Sequence, residues 1–414
     1  MNNLIKITAG LDIGNGYVKG TVCFNGKFEK QHNIDLPSCV ASVACPIDIP
    51  PQSVKEEVEG LYNRASVSFN SAIVTSSSSL STARAYLGER GISSGKPLIA
   101  FDINDGRSKA EQELSGVLVL SIVASAAVQE HFANAGKLPD ETLKVECNAA
   151  LALPIDEYRN FRDTFAEIFT KTKHVVSFHN FEQPVTVELM FTDVKVIAEG
   201  ASAIFAIGQR GEKFVNLMLA EVRQNGIKLD GITAADIIES GGVLGVDIGE
   251  GTVNFPAFTN GNFNTDYSGT HPEGYGTVLE ASIEPLAAQK AIFRSRKTLA
   301  EFLHKRPNNL NRQRHENVKA IVDAQSVAFC HGVIRKFKEL FRLADGQIEV
   351  VYVYGGGATP LKPWLYPQLL EALKEFDGNS ELPVLYLDSR YSRFLNREGL
   401  FQLAERHAPD KSKK

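Results

Sequence analysis

One seven-residue pattern occurs twice, 235 residues apart, and it limits the possible folds more than any other feature of the chain. Leu11-Asp12-Ile13-Gly14-Asn15-Gly16-Tyr17-Val18 and Val246-Asp247-Ile248-Gly249-Glu250-Gly251-Thr252-Val253 share D-I-G-x-G-x-V. Each copy follows an apolar run that reads as a strand. Each also precedes an Asn-Gly dipeptide, Asn25-Gly26 or Asn260-Gly261, of the kind that favours a two-residue hairpin turn. A period this long is no solenoid unit and marks the duplication of a whole domain. Two related α/β domains are therefore expected.

The rest of the pattern fills in those domains, and 414 residues leave room for both. Residues 5–28 read as a three-stranded meander, with Asn15-Gly16 and Asn25-Gly26 at its turns. Residues 37–105 are irregular, with Cys45-Pro46, Pro50-Pro51 and the serine run 76–79, yet apolar residues keep recurring. This segment is expected to form an excursion subdomain. A helix is expected over 109–135, a strand over 143–153 ended by Pro154, and an amphipathic helix over 156–170 with Phe161, Phe165 and Phe169 on one face. A strand over 185–198 and a small-residue helix over 200–207 follow. Residues 208–231 are polar and flanked by glycines, which reads as a surface insertion. Strands at 242–247, 252–259 and 262–267 restart the pattern. They lead to a long helix at 314–343, a strand at 348–354, a helix after Gly355-Gly356-Gly357, a strand at 383–387 and a last helix at 391–406. The tail 411–414 is expected to be frayed.

Composition removes several function classes. Lys and Arg total 44 against 49 Asp and Glu, a net charge of −5, so no global field draws the chain to nucleic acid or an anionic membrane. Five cysteines without a C-x-x-C pair indicate neither a zinc site nor a disulfide framework. Residues 1–10 lack the apolar core of a secretion signal. The apolar stretch 116–128 is broken by serines and falls short of the ~20 residues that span a bilayer, so a cytoplasmic address without membrane insertion is expected. Cys147 lies in an apolar strand and reads as core. His174, His179 and His271 lack i, i+4 pairing, Trp364 reads as a packing anchor, and Arg335-Lys336-Phe337-Lys338 reads as a solvated helix face.

A D-I-G-x-G turn can do chemistry because glycine lets backbone N–H groups approach phosphate oxygens while the Asp faces a magnesium ion. A pair of such turns can hold one polyphosphate from both sides. The candidate donors are Gly14, Asn15, Gly16 and Tyr17 in the first copy and Gly249, Glu250, Gly251 and Thr252 in the second. Asp12 and Asp247 are the candidate metal ligands and catalytic carboxylates. A third element, Val351-Tyr352-Val353-Tyr354-Gly355-Gly356-Gly357-Ala358, is a strand running into three glycines. Its bare backbone at Gly355, Gly356, Gly357 and Ala358 suits the flat face of an adenosine.

These motifs resemble those of a known superfamily. Residues 11–19, L-D-I-G-N-G-Y-V-K, are similar to the first phosphate motif of the actin, sugar-kinase and DnaK superfamily. Residues 246–253 are similar to its second phosphate motif and 353–358 to its adenosine motif. Within it the chain most resembles the bacterial actin-like proteins of the ParM/StbA and Alp type. The specific points are Leu151-Ala152-Leu153-Pro154 before Glu157-Tyr158, Asp193-Val194-Lys195-Val196 before Glu199, and the ending at 392–400.

The resemblance implies an α/β actin-like fold of two duplicated RNase H-like domains around a nucleotide cleft. The first would span 1–198, with its excursion at 37–105, and the second 199–385, with its insertion at 208–231. Residues 386–414 would form a C-terminal helix returning to the first domain. The resemblance also implies an ATPase that binds ATP or GTP with Mg2+, with Glu199 orienting the attacking water and Lys19 reaching the β- and γ-phosphates. Its partners would be further copies of itself in a dynamic filament, and a DNA-binding adaptor for segregating plasmid or other DNA. A small-molecule kinase of the same superfamily is the alternative. No acidic base for a substrate hydroxyl stands out, and a nucleotide-gated chaperone would need a substrate domain beyond the two repeats. A filament-forming ATPase is the expectation.

Overall fold

Apolar alternation with period two and the Asn-Gly turns set the strand pairing in both halves. The computed structural model describes residues 4–47, 50–101, 107–224, 229–377 and 382–407. The tail 411–414, expected to fray, lies outside them, as do 48–49 and 102–106 of the expected excursion and 225–228 of the expected insertion. The chain divides into two compact units, Met1–Ser202 with Asn396–Lys414, and Ala203–Leu395.

The first unit carries β1 (Leu4–Ile13), β2 (Tyr17–Phe24), β3 (His32–Pro37), β4 (Cys39–Val43), β5 (Ser66–Asn70), β6 (Arg84–Leu87), β7 (Leu98–Ala100), β8 (Leu143–Leu153), β9 (His174–Phe178) and β10 (Val185–Ala198). They form one sheet in the order β3-β2-β1-β8-β10-β9-β5-β6-β4-β7. The second unit carries β11 (Gly242–Ile248), β12 (Val253–Thr259), β13 (Asn262–His271), β14 (Val350–Tyr354) and β15 (Val384–Tyr386), in the order β13-β12-β11-β14-β15. The two sheets share a five-strand block. In β3-β2-β1-β8-β10 and in β13-β12-β11-β14-β15 the first two pairings are antiparallel and the last two parallel. The duplication legible in the motif therefore extends to topology.

Segment 37–105 does not stand apart as a separate layer. Its strands continue the sheet, β5 pairing antiparallel with β9, and its Val58, Leu61, Val67 and Leu87 share one core with Leu11 and Val18. The helix expected from 109 begins later and runs Glu113–Ala135, ending at Gly136 with φ 70°. It is long and apolar enough to cross a membrane, but Leu114–Val128 are all buried inside the first unit, the pattern of a helix that is apolar all round.

The second unit corrects one expectation. Residues 208–224, read as part of a surface insertion, continue the helical run Ala201–Gln224, which is interrupted at Gly211 (φ 67°, ψ −168°). Phe214, Val215, Met218, Leu219 and Val222 recur at helical spacing and are buried with Tyr352 and Tyr354 of β14. The polar residues between them mask that stripe in composition. Val351 and Val353, on alternate positions of β14, pack into the opposite core with Val246 and Phe337 of the helix Arg312–Leu343.

The last helix, expected as one piece over 391–406, is two: Ser389–Ser392 and Leu395–His407. The longer one lies on β1 and β8 because small residues let it approach. A Cβ on Gly10 would stand 2.3 Å from the Phe401 nitrogen, and Leu400 and Ala404 pack on Ala150 and Ala152. Asn148 Nδ2 donates to the Ala404 carbonyl at 2.7 Å, satisfying one of the acceptors that a helix C-terminus leaves open.

Candidate phosphate and metal sites on the two units

In the first unit the expected residues gather at the carboxyl ends of the parallel strands, where open α/β sheets hold ligands. Asp12 stands one residue from the end of β1, and Lys19 faces it directly across the antiparallel ladder. Glu199 follows the last residue of β10, and its N–H donates to the Leu153 carbonyl at the end of β8 at 2.7 Å. Gly200, in left-handed conformation (φ 82°), then turns the chain into its helix.

The Asn15-Gly16 turn differs from the expected hairpin type. Asn25-Gly26 and Asn260-Gly261 both have positive φ at both residues, as a type I′ turn demands, whereas neither Asn15 nor Gly16 does. Ser38 accounts for the difference. Its Oγ donates to the Gly14 carbonyl at 2.6 Å and its N–H to the Gly16 carbonyl at 3.0 Å. A trans peptide carries C=O and N–H on opposite sides, so the Asn15 N–H is turned away from Ser38.

The second copy reaches the same result with different partners. Gly249 N–H donates to the Thr252 carbonyl at 2.9 Å, as Gly14 N–H does to Tyr17 at 3.1 Å. A Cβ at either glycine would press on that same carbonyl, at 2.7 Å for Gly14 and 3.0 Å for Gly249. The Gly249 and Glu250 carbonyls are taken by the N–H groups of Tyr275 and Gly276, at 3.0 and 2.8 Å, at the start of the helix Tyr275–Ala288. The N–H groups of Glu250 and Gly251 are thereby turned the other way. The Glu250 side chain points to Arg296 at 3.0 Å, and since a carboxylate only accepts, its backbone N–H is what Glu250 can donate to a ligand.

Asp247 is 5% exposed and stands beside the glycine turn. Gly355 has φ 98°, and a Cβ there would lie 2.5 Å from Asp247 Oδ1 and from the Ile248 carbonyl. The structure therefore brings Asp247 and the first of the three glycines together. Gly357 N–H donates to the Ile248 carbonyl at 2.8 Å, and a Cβ on Gly357 would meet Tyr275 at 2.7 Å. Gly356 differs: it is exposed, with nothing within 4 Å of its would-be Cβ. Ala358 is buried and opens the helix Ala358–Asp377. Burial, with Asp247 nearby, pushes the Tyr354 phenol well above its ordinary range.

Several residues at these sites escaped the sequence reading. Lys109 is the foremost: its Nζ lies 2.5 Å from Glu199 Oε1, both side chains buried. Burial works against the Lys109 charge, but Glu199, then Glu157 and Asp12, outweigh it and hold the ammonium above its ordinary range. Burial likewise pushes the Asp12 carboxyl up, with Lys19 and Lys109 pulling against it and Glu199 adding to it. Glu157, in the first turn of the helix Ile155–Thr170, accepts from Ala110 N–H at 3.2 Å, and burial raises it too. No local pattern marks Lys109 or Ser38. Gly274-Tyr275-Gly276 did carry a signal, two glycines at a helix start; a Cβ on Gly274 would meet the Glu250 carbonyl at 2.5 Å.

Other side chains are structural. Cys147 is fully buried, and burial pushes its thiol up. The His174 ring bonds to Ser71 Oγ at 2.7 Å and to the Phe169 carbonyl at 2.9 Å. A cavity of about 700 Å³ in the first unit, lined by Ile73, Gly116 and Ile168 among others, includes none of the expected site residues.

A five-strand block repeated in two units, with a D-I-G-x-G turn joining β1 to β2 in one and β11 to β12 in the other, is the actin-like fold, as the sequence led us to expect. The chain matches solved structures of that fold over nearly its whole length. They include Ta0583, an archaeal actin homolog, at 13% identity and TM-score 0.58, covering 97% of this chain and 99% of that one. The actin-like protein Alp7A matches at 16% identity and TM-score 0.59, covering 97% and 96%. Bacillus thuringiensis ParM, solved with ATP, matches at 16% and 0.56, covering 96% and 98%. No protein-family profile matches the chain, and no curated protein sequence does. At such identities the likeness establishes the fold alone.

Proposed function

We propose that this protein is an actin-like ATPase that binds ATP with Mg2+ through its two D-I-G-x-G turns and polymerises into dynamic filaments that move plasmid or other DNA. The observation that carries the reading is the shared geometry of the turns. In both, a glycine whose Cβ position is filled by a backbone carbonyl begins the turn, and carbonyls are drawn to one side so that N–H groups turn to the other. Such N–H groups suit phosphate oxygens. Each turn also carries a carboxylate, the class of oxygen donor that a hard cation takes. Asp12 and Asp247 would each offer carboxylate oxygens at a strand end, and a cation beside Asp12 would relieve the burial that disfavours its charge. Bound there, magnesium would neutralise charge on the phosphates. Lys19, across the ladder from Asp12, would add a point charge to the β- and γ-phosphates. Glu199 would orient the attacking water. Gly355 to Ala358 would receive the nucleoside, GTP being admitted as well if the base contacts tolerate guanine. That ParM has been solved with ATP supports the nucleotide class.

Titration calorimetry with ATP and Mg2+, followed by sedimentation and phosphate release on the same samples, tests the proposal. Wild type should bind, pellet and release phosphate. Asp12→Ala and Asp247→Ala, folded by circular dichroism, should each lose at least ~10-fold in Mg-dependent affinity. Wild-type affinity in both variants would remove the metal assignment. Phosphate transferred to an added sugar or acid, without pelleting, would favour the kinase alternative. A small DNA-binding protein encoded beside this chain that co-pellets with it would support the segregation role.

A further inference from the structure

Lys109 sits in the turn before the helix Glu113–Ala135, and the turn is locked. Its carbonyl accepts from Ser115 Oγ at 2.7 Å and from Gln112 N–H at 3.3 Å. From there the side chain, 6% exposed, reaches Glu199 Oε1 at 2.5 Å, with its ammonium 5.7 Å from the centre of the Phe101 ring. Among the described residues, Asp12 on β1 and Glu157 on the helix Ile155–Thr170 also act on the Lys109 ammonium, and Lys19 on β2 acts in turn on Asp12. Glu199 itself follows the carboxyl end of β10, where its backbone N–H donates to the Leu153 carbonyl of β8.

A buried ion pair is weak evidence for stability, because apolar residues of similar volume often serve as well or better. What a buried, hydrogen-bonded ammonium does supply is orientation. A glutamate has three side-chain torsions, and a carboxylate that must present one oxygen to a water within a few tenths of an ångström needs them fixed. We propose that Lys109 is the positioning residue that fixes the Glu199 carboxylate for its work on the attacking water. The inference rests on the hydrolysis reading above. Lys109 itself touches no reacting atom; it acts through Glu199.

The test uses the full chain and four variants: Lys109→Met, Lys109→Arg, Glu199→Gln and the double Lys109→Met/Glu199→Gln. Phosphate release gives kcat, and titration with a non-hydrolysable ATP analogue gives affinity. Lys109→Met should lower kcat at least ~10-fold while leaving analogue affinity within about threefold, the signature of an interaction made chiefly in the transition state. Lys109→Arg should recover most of that loss. In the Glu199→Gln background Lys109→Met should cost less than about threefold, because two residues acting as one unit are not additive. A purely structural lysine predicts additive losses instead. If Lys109→Met alone fails to fold, the double variant, which leaves no Glu199 charge without its ammonium, carries the comparison. Turnover equal to Glu199→Gln supports the assignment, and a further ~10-fold loss overturns it. A Lys109→Met protein as fast as wild type, or faster, overturns the Lys109 assignment alone. A wild type that binds no nucleotide overturns the hydrolysis reading and this inference with it.

Discussion

Burial of the Asp12 carboxyl disfavours its charged form, and this gives the clearest residue-scale prediction. Burial raises its pKa, with Lys19 and Lys109 only partly offsetting the effect. A carboxyl whose folded pKa lies above its unfolded one contributes stability in full below the unfolded value. That contribution is lost as pH rises through the folded value. Nucleotide-free wild type should therefore lose stability over that window, from the ordinary carboxylate range upward, and Asp12→Asn should not. At neutral pH the Asn variant should melt higher than wild type, and the difference should close in acid. Adding ATP and Mg2+ should reverse the order, because ligand stabilises only the protein that binds it. Scanning calorimetry across pH checks this; superimposable curves would mean that the Asp12 carboxylate carries no burial penalty. Such a trade of stability for function is common at sites.

At the scale of one element, the strand-to-helix turn Gly355-Gly356-Gly357 divides its labour. Gly355 needs its left-handed φ of 98° and the absence of a Cβ, and Gly357 needs room against Tyr275. Gly356 needs neither. Gly355→Ala should therefore destabilise the second unit by at least ~1–3 kcal/mol, from backbone strain plus the clash with Asp247 and Ile248. Gly356→Val should stay within ~0.5 kcal/mol of wild type in urea unfolding. Because the fold ignores Gly356, its substitution reports the ligand alone. If a nucleoside rests on this backbone, Gly356→Val should weaken ATP at least ~10-fold, the cost of a poor steric fit. Normal ATP affinity in that variant would leave the three glycines as a packing turn.

At the scale of the molecule the proposed hydrolysis would set the lifetime of the polymer. In a filament that disassembles after hydrolysis, slowing the chemical step should lengthen polymer lifetime without weakening assembly. Glu199→Ala should pellet with ATP at least as well as wild type, release phosphate at least ~10-fold more slowly, and outlast wild type after dilution. Sedimentation and phosphate release read together decide it. Absence of polymer from both proteins over a wide range of protein and ATP concentration would rule out filament formation as the function.

The duplicated motif by itself carried the architecture, because hairpin turns and strand alternation are local chemistry that survives in a string of letters. D-I-G-x-G at Asp12 and Asp247 located both turns, and Phe165 and Phe169 marked the buried face of their helix by spacing alone. What the string hid was set by contacts distant in sequence. Residues 208–224 look polar because charged positions alternate with Phe214, Val215, Met218, Leu219 and Val222, and only the sheet of the second unit shows which side counts. Asn15-Gly16 reads as an ordinary hairpin dipeptide until Ser38, more than twenty residues on, draws its carbonyls aside. Lys109 looks like one lysine among many until the fold carries it ninety residues down the chain to Glu199. Local propensity is written in neighbours along the chain, but a buried charge is placed by its neighbours in space, and only the tertiary structure supplies those.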